Sequence, residues 1–134
     1  MAAVALRAYN RGMPRVAIVD SITELGPRDA GCVAVSGSHG GVSSARFALA
    51  ARPLLSIFND AGGGKDGAGF AGLAMLASEG LAACTVGHES ARIGDAHSTL
   101  NDGIISAVND HASALGVAVG LRCHEAVAAV SREH

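Results

Sequence analysis

Three short apolar segments, two of them followed by a helical pattern, constrain the fold of this chain more than any other feature of its sequence. The apolar runs occupy residues 32–36, 54–58 and 81–86. Helical periodicity follows the first run at residues 43–52 and the second at residues 67–79, with breaks at Pro53 and Gly80. Because parallel neighbouring strands need a crossover, this alternation predicts a parallel sheet covered by helices.

The segments on either side extend the same pattern. Residues 15–22 form another strand pattern, and the short link to residues 32–36 predicts either an antiparallel pair or a connection of one helical turn. A third helix is predicted from Thr99 to Leu115, because Thr99 and Asp102 have the spacing of a capping box and apolar residues follow at helical intervals. Residues 121–134 predict a fourth helix.

The pattern as a whole predicts one α/β domain. At 134 residues the chain can build a single core. We expect a three-layer arrangement, Rossmann-like or flavodoxin-like, in which a small and mostly parallel sheet of about four strands is covered by helices. This single domain is expected to span residues 1–134, with residues 1–14 as a flexible N-terminus.

Charge and composition exclude two classes of partner. The formal net charge is -2, Trp is absent and aromatic residues make up 3% of the chain, so neither a basic surface nor a set of stacking rings is available for nucleic acid. No apolar run reaches the roughly 20 residues that span a bilayer. We therefore expect no nucleic acid and no membrane among the partners.

Cysteine use and surface composition predict the setting of the protein. Cys32, Cys84 and Cys123 are odd in number and lie in apolar contexts, which indicates reduced, buried thiols and favours the cytoplasm. Only 16% of the residues are charged, and alanine is abundant. We therefore expect part of the surface to be buried in a homo-oligomer.

Polar residues and glycines are concentrated directly after three of the predicted strands. The segments are 36–41, 59–67 and 87–95. In a parallel sheet the carboxyl ends of the strands lie at one edge, where ligands bind in proteins of this class. The ligand-binding candidates are Ser36, Gly37, Gly40, Gly41, Gly62, Gly63, Gly64, Asp66, Ser90, Arg92 and Asp95.

The chemistry of these segments suits a small anion. Glycine-rich backbone that leads into a helix presents amides in a positive dipole field, and the side chains of Lys65 and Arg92 can neutralise a carboxylate or phosphate. The alternative for Arg92 is an internal ion network with Glu89 and Asp95 that shapes the loop. Asp66 follows Lys65 where the P-loop pattern requires Ser or Thr, so no nucleotide or other cofactor is predicted.

Two histidines and one aspartate are the candidates for proton transfer. His39 and His88 each lie near the end of a predicted strand, and an imidazole titrates close to neutral pH. Asp60 directly follows the strand at 54–58, where it can orient a histidine or Lys65, or bond to the amides of its own turn. No ligand spacing typical of a metal site is present, so no metal is predicted.

The stretch from Ser36 to Gly40 raises a further possibility. It reads S-G-S-H-G between a strand and a helix, and it resembles the nucleophile elbow of the α/β-hydrolases, whose pattern is G-x-S-x-G. The resemblance implies Ser38 as a nucleophile with His88 as its base.

These observations lead to one functional expectation and two alternatives. We expect an enzyme that binds a small anionic metabolite at the carboxyl edge of the sheet and performs acid-base or hydrolytic chemistry, with His39, His88, Asp60 and Lys65 as its catalytic residues. A metabolite-binding module or subunit without catalysis is the first alternative. A serine hydrolase that uses Ser38 is the second.

Overall fold

Five strands form one sheet in the order β1-β2-β3-β4-β5, in the computed structural model that describes residues 13–133 of the protein. The strands are β1 (Val16–Val19), β2 (Val33–His39), β3 (Leu55–Asn59), β4 (Ala82–Val86) and β5 (Ile105–Val108). The first four strands are parallel, and β5 is antiparallel to β4. The carboxyl ends of β1 to β4 therefore lie along one edge of the sheet.

Helices cover both faces of the sheet. They are α1 (Val42–Ala51), α2 (Ala71–Ser78), α3 (Ala96–Asp102), α4 (Asp110–Ala114) and α5 (Cys123–Glu133), with 3-10 segments at Ile22–Glu24, Pro27–Asp29 and Lys65–Phe70. Within residues 13–133 no helix has the length and apolar character needed to cross a bilayer.

Alternation along the strands divides the core into two clusters. On the face of α1 and α2, Phe58 of β3 packs with Ala45 of α1 and Leu76 of α2. On the opposite face, Ile57 of β3 packs with residues of α5, among them Val130. Each fully buried side chain of this size contributes about 1.5–3 kcal/mol to folding. Both faces of the sheet are thus covered, and the predicted three-layer α/β class is confirmed.

The predicted third helix is wrong. The segment that was expected to be helical from Thr99 to Leu115 contains the end of α3, the strand β5 and the short helix α4. Helix α3 begins earlier, because Asp95 caps it by accepting a hydrogen bond from the amide of Ser98. Gly103 then ends α3, and the β-branched pair Ile104-Ile105 begins an extended segment, so the sheet has five strands rather than about four.

The connection between β1 and β2 matches one of the two predicted forms. The strands are parallel, with Val16 opposite Val33, so the antiparallel alternative is wrong. The 3-10 turns Ile22–Glu24 and Pro27–Asp29 take the place of a crossover helix. The predicted flexible N-terminus is residues 1–14, of which 1–12 lie outside the described residues.

Strand β2 continues further than predicted. The predicted strand ends at Ser36, but Gly37, Ser38 and His39 also belong to β2, and only Gly40 and Gly41 separate the strand from α1. A register shift between Val35 and His39 brings His39 opposite Asn59 of β3. The bulge therefore places the imidazole of His39 at the end of the strand.

Glycines allow the first two crossovers to pack closely at this edge. The amide of Gly72 in α2 donates a hydrogen bond of 2.8 Å to the carbonyl oxygen of Gly40. A Cβ atom on Gly72 would lie 2.8 Å from the carbonyl oxygens of both Gly40 and Gly41. A Cβ atom on Gly40 would likewise collide with the carbonyl oxygen of Gly69. Only hydrogen at these positions allows α2 to approach the end of β2 so closely.

Substitution at this contact should destabilise the fold. We expect Gly72→Ala to lower the free energy of unfolding by about 1–3 kcal/mol, because the added methyl group meets two backbone oxygens that cannot move independently. The matched control is Gly26→Ala, since a Cβ atom there would have no neighbour within 4 Å. Urea denaturation followed by circular dichroism measures both changes. Equal stability of the two variants would contradict the packing.

Candidate functional site

The ends of β2, β3 and β4 bring His39, Asp60 and His88 to the same edge of the sheet. The amide of Gly40 donates to the carbonyl oxygen of Asn59 at 2.9 Å, and the amide of Asp60 donates to that of Val86 at 2.9 Å. These bonds continue the strand pairing past the last residue of each strand. The three segments therefore leave the sheet at fixed positions relative to one another.

The side chain of Asn59 organises the turn after β3. Asn59 is fully buried; its Oδ1 accepts from the amide of Ala61 at 2.8 Å, and its Nδ2 donates to the carbonyl oxygen of Ala91 at 3.1 Å. Ala61 and Gly62 have φ values of 53° and 76°. The left-handed backbone turns the chain sharply, and Asn59 ties the turn to the segment after β4.

The Asp60 carboxylate is held by this turn and by the start of the next loop. Its Oδ1 accepts from the amide of Gly62 at 2.8 Å and from the amide of His88 at 3.0 Å. The same oxygen lies 3.6 Å from Nδ1 of His88. The Asp60 side chain is 9% exposed, whereas that of His88 is 53% exposed. A buried carboxylate thus faces an imidazole that solvent can reach.

The surroundings of Asp60 keep its carboxyl group ionised. Burial raises the pKa of this carboxyl, but hydrogen bonds from the Gly62 amide, the Ser106 hydroxyl and the His88 amide act in the opposite direction, together with the charge of His88. The net effect lowers the pKa below its ordinary value. The aspartate is therefore an anion at neutral pH and is suited to orient His88.

The two histidines have opposite hydrogen-bonding arrangements. Nδ1 of His39 accepts from the amide of Gly41 at 3.0 Å, so neutral His39 carries its proton on Nε2 and can donate from that atom. Nδ1 of His88 faces the Asp60 carboxylate, which favours a proton on Nδ1 and leaves the lone pair on Nε2. His39 is thus arranged as a donor, and His88 as a base.

Two cavities adjoin His39. One, of about 380 Å³, lies between the start of α1 and the turn after β3, and is lined by His39, Gly41, Val42, Ser43, Ala61, Gly64, Ala68, Gly69 and Ala71. The other, of about 290 Å³, is lined by Ser21, Thr23, Ser38, His39, Ser43, Ser44 and Phe47. The N-cap residue of α1 is Gly41, which has no side chain to cap the first helical amides.

Two further cavities lie near the end of β4, and the first of them adjoins His88. One, of about 240 Å³, is lined by Asp60, Gly62, Phe70, Gly87, His88 and Glu89. The other, of about 370 Å³, is lined by Gly87, Glu89, Ser90, Ile104, Ile105 and Ser106. Gly62 lines a His88 cavity, whereas Ala61 and Gly64 line a His39 cavity. The turn 61–64 therefore stands between the two histidines, which the sequence predicted to face one chamber.

Several residues that were predicted to contact a ligand have structural roles instead. Ser36 is buried, and its hydroxyl donates to the carbonyl oxygen of Ile57 at 2.8 Å. A Cβ atom on Gly37 would collide with the backbone of Gly94 and Asp95, where the loop after β4 crosses β2. Gly40 and Gly63 are likewise buried, so close packing accounts for the glycine at these positions.

Ser38 does not occupy a nucleophile elbow. The residue lies within β2 and not on a strand-to-helix turn, and its Oγ accepts from the amide of Ile22 at 2.9 Å. Ser38 and His88 also line different cavities. The resemblance to the α/β-hydrolases therefore does not extend to the geometry of the turn.

The charged candidates lie away from the cavities described above. Lys65 and Asp66 are exposed in the 3-10 segment, and Asp66 has left-handed backbone with a φ value of 55°. The side chain of Arg92 is 80% exposed and lies 3.6 Å from Asp95, as one of the sequence alternatives proposed. Asp95 also caps α3, so this pair shapes the loop.

The sequence did not identify Ser106 and Thr85. A register shift in the β4–β5 pairing leaves Ser106 as the extra residue of β5, and its hydroxyl lies 2.8 Å from Oγ1 of Thr85. The Ser106 hydroxyl also contributes to the lowered pKa of Asp60. The signal that could have revealed this residue is Gly103 followed by two β-branched residues, which favours a strand over the predicted helix.

The three cysteines belong to the core, as predicted. All are free and buried. Burial raises the pKa of the Cys123 thiol to about 12 and that of Cys84 well above its ordinary value. Neither thiol is therefore suited to act as a nucleophile. Within residues 13–133 no three His, Cys, Asp or Glu side chains converge as metal ligands.

Comparison with protein-family models, with curated proteins and with solved structures found no match to this chain. The site is therefore interpreted from its own geometry.

The lowered pKa of Asp60 should make the stability of the protein depend on pH. A carboxyl whose pKa is lower in the folded state stabilises the fold above its unfolded-state pKa of about 3.9, and this contribution is lost as the pH falls through the folded-state value. We expect Asp60→Asn to flatten the decline of unfolding free energy in this acidic range. Urea denaturation at a series of pH values measures the slope.

The matched control for this prediction is Asp66→Asn. Asp66 is exposed and lies in the same 59–67 segment as Asp60, so its replacement changes the charge equally. We expect this variant to keep the slope of the unmodified protein. If Asp60→Asn also keeps this slope, the lowered pKa of Asp60 in the folded state is contradicted.

Proposed function

We propose that this protein is an enzyme that binds a small anionic metabolite at the carboxyl edge of its sheet and transforms it by acid-base or hydrolytic chemistry. His88 is the general base, Asp60 orients it, and the cavity beside His39 receives the anionic group. The observation that carries this proposal is the buried carboxylate of Asp60 beside Nδ1 of the exposed His88.

The Asp60–His88 pair supports base catalysis. A carboxylate on the Nδ1 side stabilises the imidazolium that forms when Nε2 takes a proton, and it holds the ring in one orientation. The 3.6 Å separation is slightly longer than a direct hydrogen bond, and such contacts often shorten when substrate binds. The reacting atom would be a water molecule for hydrolysis, or a proton next to a carbonyl group.

The start of α1 supports binding of the anionic group. Helix α1 has ten residues, its first amides are not capped by a side chain, and Val42 and Ser43 line the larger cavity beside His39. A donating Nε2–H of His39 adds a second kind of donor to this cavity. Anions are stabilised at helix N-termini by about 0.3–1 kcal/mol at exposed sites, so several donors are needed for useful affinity.

A binding module without catalysis is the second candidate. It is favoured by the separation of the His39 and His88 cavities by the turn 61–64, since the anion site alone would serve a carrier or sensor. The hydrolase alternative with Ser38 as nucleophile has weaker support, because the Ser38 hydroxyl already accepts from Ile22 and lines another cavity than His88.

The expected assembly and compartment remain proposals as well. A homo-oligomer is supported by the large apolar side chains that the described residues leave exposed. These are Met13, Ile18, Phe47, Ile93, Ile104 and Val119. The three free, buried cysteines are compatible with a reducing compartment such as the cytoplasm.

The assignment of the base is tested by activity. A panel of hydroxy acids, keto acids, carboxylate esters and phosphate esters is assayed with the unmodified protein, and the active substrate is then used with His88→Asn. We expect kcat/KM to fall by about 100-fold or more, as for loss of a general base. The control is His111→Asn, which changes an exposed histidine in α4. Undiminished activity of His88→Asn would refute the base, and inactivity towards every substrate favours the binding module.

The anion site is tested by titration with inorganic phosphate. We expect amide shifts in the NMR spectrum at Gly41, Val42, Ser43 and Gly64, because these residues line the cavity at the start of α1. His39→Phe should weaken phosphate binding, since it removes the Nε2–H donor and keeps an aromatic ring. Sodium chloride at equal ionic strength is the control. Shifts confined to the exposed side chains of Lys65 and Arg92 would contradict the proposal.

A further inference from the structure

We propose that the cavity beside His88 and the adjoining cavity lined by Ser90 and Ser106 form one subsite for a group that donates hydrogen bonds, a hydroxyl or an ammonium, carried on a short aliphatic chain. This inference rests on the proposed function, because it describes the end of the same substrate that lies beside the proposed base. It adds that this end is not a carboxylate or phosphate, although the far end of the molecule is anionic.

The two cavities are adjacent. Both are lined by Gly87 and Glu89, with Asp60, His88 and Phe70 on one side and Ser90, Ile104, Ile105 and Ser106 on the other. A Cβ atom on Gly87 would lie 3.9 Å from Oδ2 of Asp60, 3.9 Å from Cβ of Ser106 and 3.8 Å from Oγ of Ser90. Glycine at this position therefore leaves the passage between the carboxylate and the two serines free of a side chain.

The polar groups of this subsite are mainly acceptors. Asp60 and Glu89 contribute carboxylates, and Nε2 of His88 has its lone pair free in the arrangement described above. The Ser90 hydroxyl does not donate to this subsite, because it donates to the carbonyl oxygen of Gly87 at 2.7 Å. It also accepts from the amide of Ile104 at 2.9 Å. A group that donates hydrogen bonds is the complement of such a site.

The charges of the lining residues favour the same kind of group. The residues that line the two cavities, within the described part of the chain, include two acidic side chains and no lysine or arginine. Like charges placed next to each other in a binding site oppose binding by a large margin. A carboxylate or phosphate at this position would lie beside the ionised Asp60 without a lysine or arginine to balance it.

The apolar part of the subsite accounts for the aliphatic chain. Ile104 is 44% exposed and lies beside the buried Ile105, and Phe70 lines the opposite cavity. These side chains offer an apolar surface next to the acceptors, which suits a short hydrocarbon portion. The bulge at Ser106 brings this part of β5 to the cavity, where the Ser106 hydroxyl bonds to that of Thr85 and contributes to the lowered pKa of Asp60.

Three probes of equal chain length test the inference. Butylammonium, 1-butanol and butyrate are titrated separately into the full-length protein, and the amide resonances of Gly87, Glu89 and Ser106 are followed by NMR. We expect butylammonium to bind about tenfold or more tightly than butyrate, because butyrate meets two carboxylates. Butanol that binds more tightly than butylammonium would identify a hydroxyl as the preferred group, tighter butylammonium would identify an amine, and equal binding would show that the subsite accepts either donor. Butyrate binding as tight as either, or no shift with any probe, overturns the inference.

A charge variant provides the matched control. We expect Glu89→Gln to reduce the preference for butylammonium over butyrate by about threefold or more, since it removes one lining charge. Glu79→Gln changes an exposed glutamate outside the subsite and should leave the preference unchanged. An unchanged preference in Glu89→Gln would refute the role of Glu89 in selection.

The binding experiment and the activity test of the proposed function can fail independently. Probe binding is measured without turnover. If His88→Asn keeps full activity, the base assignment fails while the selection among probes stands. If butyrate binds as well as butylammonium, the selection fails while the loss of activity in His88→Asn still supports the base.

Discussion

The hydrogen bonds that Asn59 and Asp60 make with the turn after β3 hold the whole carboxyl edge together. Asn59 joins the turn to the loop after β4 through Ala91, and the Asp60 carboxylate accepts from the amides of Gly62 and His88. Each side chain therefore connects two segments that are far apart in sequence. These bonds hold the turn after β3 against the loop that carries His88, and the turn forms the wall between the cavities on its two sides.

Close packing of glycines makes this edge possible. Gly40, Gly69 and Gly72 allow the segment after β2, the turn after β3 and the start of α2 to approach at backbone distance. Glycine in the three candidate segments thus has two different uses. At Gly37, Gly40 and Gly63 it satisfies packing, whereas Gly41, Gly62 and Gly64 line cavities. Composition alone predicts a ligand site for both groups, because glycine-rich turns before helices have the same sequence in either case.

The two histidines have different roles in the proposed enzyme, because Nδ1 of each ring has a different partner. An amide opposite His39 makes that residue a donor, and a carboxylate opposite His88 makes it a base. The same distinction explains why an anion is expected beside His39 and a donor group beside His88. The charges of the two sites differ accordingly, since α1 presents its N-terminus to the first and Asp60 with Glu89 lines the second. A bifunctional small molecule, anionic at one end only, would satisfy both.

The sequence by itself determined the fold class, the buried cysteines and the sheet edge at which His39, Asp60 and His88 lie. The first two follow from apolar periodicity, which is a local property of the chain. The third follows from the general rule that ligands bind at the carboxyl ends of parallel strands. It also suggested the Arg92–Asp95 pair from spacing alone. Tertiary structure decided that β2 runs on through Ser38, that β5 replaces a helix, and that Ser106 reaches Asp60. These depend on strand pairing and on register shifts between distant segments. A short apolar run such as Ile104-Ile105 becomes a strand only where a neighbouring strand supplies hydrogen bonds.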